Sequence, residues 1–422
     1  MIHTLKQKVI DNIIVFMLIM STGGLLFVFN RNLMYLAFIV LLILTISFSS
    51  KARVRVFYPL VFCITVMICL FWFNYIFALS EQSISKYLYY LMVVFVSGAT
   101  LFHFLNNRNE SAFKLSLYSV LKILLIHAFL QSIAYLFVSN SLQIISSSEY
   151  ECTTFRYLFF YASTDIKKYS EISLFGLDMM RNQGIFWEAG VAQLFFNIFF
   201  FLEAFIFKKN HWLLPITIFV IITTYSTVGI IILLIQMGYF FLFEQKSKSL
   251  IVIFFIIFLP LSSIVMINVE EKTIGEKEAS FQKRYFDLVQ PFFIALEHPL
   301  TGIGLDLYKF QEYRSEFYIN SSNYIILEDN IGLDLKMENT SEGSSNSFMF
   351  LLAAMGFPSG LFIIFLFLQQ RIIHVRRGIF LMILCLSLFS SPLLLRPFFM
   401  FIIFSGFFFL NLRFISSKYN EL

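Results

Sequence analysis

Charge is scarce in this 422-residue chain: only 14% of its residues are Asp, Glu, Lys or Arg, against 59% hydrophobic. Soluble domains carry about a quarter of their residues as charges, so a water-soluble globular protein is excluded. With 57 Phe and a mean hydropathy of +0.79, many membrane crossings are predicted. Cysteine is scarcer still. Of the four, Cys63, Cys69 and Cys385 fall within apolar runs and only Cys152 in a loop, so no intramolecular disulfide is expected outside the membrane. No His, Cys and Asp cluster has metal-ligand spacing, so neither metal nor cofactor is expected. No internal period is visible, which argues against repeat-built transporters. No small-residue cleavage site follows the first apolar run, which is therefore expected to remain as a span. The net charge of +5 reports membrane orientation, and no nucleic-acid partner is expected.

What is present is a series of apolar runs. A helix needs about 20 such residues to cross the hydrocarbon layer, and the runs predict spans at 11–29, 33–49, 57–79, 87–105, 115–138, 190–207, 212–225, 227–243, 249–267, 346–368, 378–395 and 397–413. The expected fold is thus all-α and polytopic, with about 12 transmembrane helices. Basic residues in the short loops, from Lys6 and Lys8 to Arg413 and Lys418, alternate consistently to one side, which the positive-inside bias makes cytoplasmic together with both termini. Five regions follow: 1–138 with five spans, an outer loop 139–189, 190–267 with four spans, a large outer loop 268–345, and 346–422 with three spans and a cytoplasmic tail. The two outer loops hold 20 of the 26 acidic residues, so chemistry is expected outside.

Within the spans, Lys122 and Glu203 lie near cytoplasmic helix ends and are expected to snorkel. His127 and Gln131, four apart, share a helix face and suit interhelical hydrogen bonds. In "RNQGIFWEAG" Arg181, Trp187 and Glu188 stand at the mouth of a span, and Gln193 and Asn197 continue a polar stripe inward. Glu188 fits two roles, an acid favoured by a helix N-terminus or a general base beside a sugar that stacks on Trp187. The hydroxyls of "TTYSTVG" (Thr223 to Gly229) suit helix capping or a sugar contact. Arg181, Arg284 and Arg314 stand on the outer side, where planar guanidinium groups suit a lipid-linked diphosphate. For Arg314, pairing with the flanking Glu312 or Glu316 is the competing role. The large loop carries seven basic against fourteen acidic residues, so any anion site there must be local. His298, in "HPLTGIGLDLY", fits either an acid or base or a helix-ending His-Pro pair.

These motifs resemble the Wzy-type O-antigen polymerases and, more distantly, the O-antigen ligases that share their fold. The likeness rests on "RNQGIFWEAG", "TTYSTVGI", "SFQKR" followed by "HPLTGIGLDLY", and "SSNSFMFLLAAMGFPSGLF", over about 175 to 370. It implies a GT-C-like, metal-independent glycosyltransferase of the bacterial inner membrane, joining undecaprenyl-diphosphate-linked oligosaccharide repeats on the periplasmic face. It also implies membrane lipids, a chain-length regulator and a flippase as partners. By the resemblance, Arg181 and Arg284 would hold diphosphate or sugar; with Glu188 and His298 they are the candidate catalytic groups, and Trp187, Gln193, Arg314 and Asn346 are candidate substrate contacts. Arg181 and Arg284 are expected to converge on the diphosphate. A ligase is expected to carry a histidine before the asparagine that opens the tenth span, whereas Ser344 and Ser345 precede Asn346, which shifts weight towards polymerase. A ligase-like arginine after the serine of the short turn is replaced by Thr227. The alternatives are a ligase moving polymer to lipid A core and a lipid-linked oligosaccharide flippase. Dolichol-type mannosyltransferases, expected to have acidic residues in the first outer loop, are disfavoured by the bare "NRN" at Asn30 to Asn32.

Overall fold

The computed structural model describes residues 2–420 apart from 48–52, 148–149, 164–170, 175, 246–255, 257, 264, 268–269, 271–277 and 321–343. Helices α1 (Ile2–Gly23), α2 (Arg31–Ser47), α3 (Val54–Phe77), α4 (Ile84–Phe102) and α5 (Glu110–Val138) come first. Five short strands follow: β1 (Gln143–Ser146), β2 (Glu151–Phe155), β3 (Phe159–Ala162), β4 (Glu171–Leu174) and β5 (Leu177–Met180). Then come α6 (Ala189–Phe201), α7 (Leu213–Thr223), α8 (Thr227–Tyr239), α9 (Glu278–Glu297), α10 (Leu307–Asn320), α11 (Ser347–Leu368), α12 (Arg377–Leu388) and α13 (Pro397–Asn420).

By length and composition, six helical stretches among the described residues are long and apolar enough to cross a membrane, and one of them, Ser347–Leu368, is broken at Gly356. Long apolar runs become helices because a lipid-facing backbone must satisfy its own hydrogen bonds. Helix α3 leaves Phe62, Trp72, Phe73 and Ile76 exposed, a surface suited to lipid. Of the predicted span 249–267, residues 249–255, 257 and 264 lie outside the described residues.

The chain divides into two compact units. One comprises Met1–Leu44, Asn109–Val269 and Ile373–Ser387; the other comprises Thr45–Arg108, Glu270–Ile372 and Leu388–Leu422. In the first, α5 packs on α1, α6 and α7, and α6 packs on α7 and α8. In the second, α4 packs on α3 and α13, and α11 packs on α9 and α13.

The all-α expectation fails in the loop 139–189. Strands β1, β2 and β3 form an antiparallel sheet, with Phe155 opposite Phe159, and β4 pairs with β5. Arg156 and Tyr157 both take positive φ, 50° and 57°, in the tight β2–β3 turn. Aromatic and β-branched residues dominate "ECTTF" and "FFYA", which favours strands.

A second correction concerns the tenth predicted span. Gly356 has φ 72° and ψ 171°, and Pro358 follows it. The helix reverses there: Phe348 and Phe367 have ring centroids 6.1 Å apart, and a Cβ on Gly360 would lie 3.4 Å from the Leu352 Cα. A straight helix of this length would separate its ends by about 33 Å, so α11 is two half-length helices side by side.

Snorkelling is also corrected for Glu203. It is fully buried, accepting hydrogen bonds from the Tyr118 hydroxyl at 2.7 Å and the Asn210 amide at 2.6 Å. Lys122 is half-buried.

Candidate functional site

In the first unit the "RNQGIFWEAG" motif is fixed by its backbone. Leu25 donates to the Ile185 carbonyl at 2.9 Å and Trp187 to the Gly23 carbonyl at 3.1 Å, which tacks the motif to the end of α1. Asn182, 2% exposed, is the pin beneath it. Its side-chain amide donates to the Ala128 carbonyl at 2.9 Å and the Ser132 hydroxyl at 2.7 Å, its backbone donates to the Thr223 carbonyl at 2.8 Å, and its Oδ1 accepts from Gly184 at 3.0 Å. One residue earlier, Arg181 donates through Nε to the Thr224 carbonyl at 3.0 Å. Arg181 is half-buried against the turn joining α7 and α8, so two motifs distant in sequence meet. In that turn Ser226 caps α8, accepting from the Gly229 amide at 3.3 Å.

Glu188 is the N-cap residue of α6 but makes no side-chain capping bond, and its side chain is exposed. The Tyr150 hydroxyl donates to the Trp187 carbonyl beside it. Burial first, then Cys152 and Glu188, push the Tyr150 hydroxyl above its ordinary pKa against an opposing bond from Gln183, so it stays a donor at neutral pH. Burial likewise pushes the Cys152 thiol up to about 12. His127 and Gln131 bond to the β2–β3 hairpin rather than another helix: His127 Nε2 lies 2.7 Å from the Leu158 carbonyl in the turn, and Gln131 donates to the Phe160 carbonyl of β3 at 2.8 Å. The sheet is thereby held to α5.

Gln193 and Asn197 form an internal network. The Asn197 amide donates to Gln193 Oε1 at 3.0 Å and to the Gly229 carbonyl at 3.1 Å, and Gln236 donates to Asn197 Oδ1 at 2.9 Å. Gln193, Asn197 and Gln236 are each 0% exposed, so the polar stripe joins α6 to α8. Gly229 permits the approach, since a Cβ there would lie 2.8 Å from the Gln193 side chain.

In the second unit the centre is Asp287 on α9. Arg314 of α10 donates through Nη2 to Asp287 Oδ1 at 2.5 Å, while the Ser345 amide and hydroxyl donate to Oδ2 at 2.8 and 2.6 Å. Arg314 Nε donates to Gln290, whose amide returns a bond to the Arg314 carbonyl at 2.9 Å. Arg314 and Asp287 are 1% and 0% exposed. Pro291 supplies no N–H for the Asp287 carbonyl, and the Ser344 hydroxyl donates there instead at 3.2 Å. The carboxylate paired with Arg314 is therefore Asp287, 27 residues away, not Glu312 or Glu316. The guanidinium expected to contact substrate is turned inward.

Asn346 is buried as the N-cap of α11, accepting from Phe348 at 3.1 Å and Met349 at 3.2 Å. Arg284 stands exposed on α9, one turn before Asp287. His298 Nε2 lies 2.6 Å from the Tyr313 hydroxyl, whose pKa is raised by burial and then by Glu297 and Glu316.

The loop after His298 services the break in α11. Phe357 donates to the Pro299 carbonyl at 2.7 Å, leaving the Ala353 carbonyl to Ile303 at 3.0 Å. Pro358 leaves the Ala354 carbonyl without a helical donor, and Gly304 at 2.9 Å and the Asn74 amide at 2.9 Å replace it. Asn74 also donates to the Thr301 carbonyl at 2.8 Å, and Gln82 donates to Ile303 at 3.1 Å and accepts from Asp306 at 2.9 Å. Gly302 is required, because its φ is 67° and a Cβ would lie 2.5 Å from the Ala353 carbonyl oxygen.

Residues 212–364 match the O-antigen ligase family model, Wzy_C. That match supports the O-antigen ligase and polymerase family, whose members are glycosyltransferase-like enzymes, and a function in surface polysaccharide; it does not separate polymerase from ligase. No curated protein and no solved structure matches the chain. The O-antigen ligase match includes Arg284, His298, Arg314 and Asn346, with the clasped loop and the α11 reversal, and leaves out Arg181, Trp187, Glu188 and Gln193. Arg181 and Arg284 belong to different units.

Sequence reasoning did not single out Asn182, Asp287 or Arg396. Arg396, between α12 and α13, donates to the Tyr89 hydroxyl at 2.6 Å. Its signal was an isolated arginine in an apolar stretch, "PLLLRPFFM". Among the described residues no group of three His, Cys, Asp or Glu could hold a metal ion.

Proposed function

We propose that this chain is a surface-polysaccharide polymerase of the bacterial inner membrane, extending chains from undecaprenyl-diphosphate-linked oligosaccharide repeats at the periplasmic face. The observation that carries the surface-polysaccharide reading is the family match over 212–364, and the serines in place of a ligase histidine before Asn346 favour polymerase within it. An acceptor hydroxyl attacks the anomeric carbon of the donor sugar. The new glycosidic bond forms as the bond to the diphosphate oxygen breaks, and that oxygen leaves with the electron pair. Arginines stabilise the departing charge. Arg284, exposed on α9, and Arg181, beside the α7–α8 turn, are assigned this role separately. The hydroxyl proton passes to Glu188 or His298, and the base is the one whose replacement, Glu188→Gln or His298→Gln, abolishes polymer formation while binding of the lipid-linked repeat is retained.

The test is purified full-length protein with one defined lipid-linked repeat, analysed by gel for a ladder of products. In cells, loss of the chain should leave core bearing a single repeat unit. Bare core would identify a ligase, and lipid-linked repeats trapped on the cytoplasmic leaflet a flippase.

A further inference from the structure

Helix α9 has two unlike faces. Asp287, Gln290, Ile294 and Ala295 are buried, whereas Leu288, Phe292 and Leu296 are 39%, 40% and 50% exposed. These three continue at four-residue intervals from the exposed Arg284, so a cation heads a stripe of apolar side chains. At about 1.5 Å per residue the stripe runs about 18 Å from Arg284 to Leu296. Its orientation is fixed from behind, because Asp287 is held by Arg314 and Ser345 and the end of α9 by the contact between His298 and Tyr313. A soluble anion would use the guanidinium and gain nothing from the stripe, and bulk lipid tails would use the stripe without needing the guanidinium. An amphiphile with an anionic head and a long hydrocarbon tail uses both.

The geometry points to a lipid-tail site: α9 binds a diphosphate lipid with its headgroup at Arg284 and its polyisoprenoid chain along Leu288, Phe292 and Leu296. This rests on the proposed function for the identity of the lipid and adds a residue-level path for its tail. Such a path makes tail length a determinant of affinity, independent of the sugars carried.

The experiment uses the full chain in lipid nanodiscs, with farnesyl diphosphate and inorganic diphosphate as probes in calorimetric titrations. Wild type should bind farnesyl diphosphate at least tenfold more tightly than inorganic diphosphate. In the triple variant Leu288→Gln, Phe292→Gln, Leu296→Gln that ratio should fall to within twofold, with inorganic diphosphate affinity unchanged. A ratio retained in the folded triple variant overturns the site. Should the triple variant not fold, p-benzoylphenylalanine at position 292 decides. Irradiation should give a farnesyl diphosphate adduct there and none from a probe at position 307; adducts with nanodisc phospholipid only would mean a lipid-facing surface and sink the assignment. A stripe that fails these tests in a protein that still polymerises leaves the proposed function standing. A stripe that passes in a protein that makes no polymer refutes that function instead.

Discussion

Asp287 accepts three hydrogen bonds at a position with no solvent access, one from a guanidinium and two from Ser345. Asp287→Ala would strand the Arg314 charge in the interior. Bonds to a charged group contribute about 1.5–3 kcal/mol each, and relief of carboxylate desolvation offsets part of the loss. Breaking one partner of a buried pair costs roughly 3–5 kcal/mol on balance, the expected destabilisation here. Asp287→Asn should be milder, about 2 kcal/mol, because its single carbonyl oxygen can serve Arg314 or Ser345 but not both, leaving an NH2 against a donor. The apolar pair Asp287→Leu with Arg314→Met should recover much of the loss, since it removes both charges from the interior. Thermal unfolding of the full chain in nanodiscs measures this for Asp287→Ala and Asp287→Asn, and for a double-mutant cycle of wild type, Asp287→Leu, Arg314→Met and the two combined. If Asp287→Ala lies within about 1 kcal/mol of wild type, or the apolar pair is worse than both single changes, the buried-pair reasoning is wrong.

Gly356→Ala should abolish folded protein by size-exclusion profile, because φ is 72° and a Cβ would stand 2.5 Å from the Leu300 carbonyl oxygen, whereas Gly378→Ala, with nothing within 4 Å, should be tolerated. Asn182→Ala should cost roughly 2–3 kcal/mol by the loss of its buried amide bonds and speed hydrogen exchange at the Gly184 amide, which donates to Asn182; unchanged exchange there would mean that Asn182 does not pin the motif. Arg284→Lys should lower polymer formation nearly as much as Arg284→Ala, by about a hundredfold if one transition-state contact is lost, and a fully active Lys variant would mean bidentate geometry is not used. Because burial raises the Cys152 thiol to about 12, its thiolate should be negligible at pH 8. Iodoacetamide should label it only after unfolding, and rapid labelling of the native protein would contradict its burial.

The apolar runs located the helices well, because hydrocarbon leaves the backbone few alternatives to a helix. The run 57–79 appears as Val54–Phe77 and 190–207 as Ala189–Phe201 with its π-helical continuation to Phe207. Side-chain destinations were less legible. Glu203 was expected to reach water, but its position in the chain does not disclose that Tyr118 and Asn210 stand ready to receive it. Arg314 likewise had two acidic neighbours in sequence and chose a third carboxylate, because α9 and α10 come together in three dimensions. The reversal in α11 did have a local signal, a glycine and a proline two residues apart in "AMGFPSG", which hydropathy averaging conceals. The outer strands are too short for periodicity to declare them. Of the candidate site, the meeting of Arg181 with the "TTYST" turn was not legible, since it depends on a backbone carbonyl that carries no sequence identity.

The break in α11 also orders events during synthesis. The orphaned carbonyls of Ala353 and Ala354 need donors from Ile303, Gly304 and Asn74, and all three residues precede them along the polypeptide. By the time the ribosome delivers Gly356 and Pro358, every group that completes the bend has already been made. Truncations that remove the C-terminal spans should therefore still permit the bend, whereas an upstream deletion of residues 299–304 should leave it with Asn74 alone.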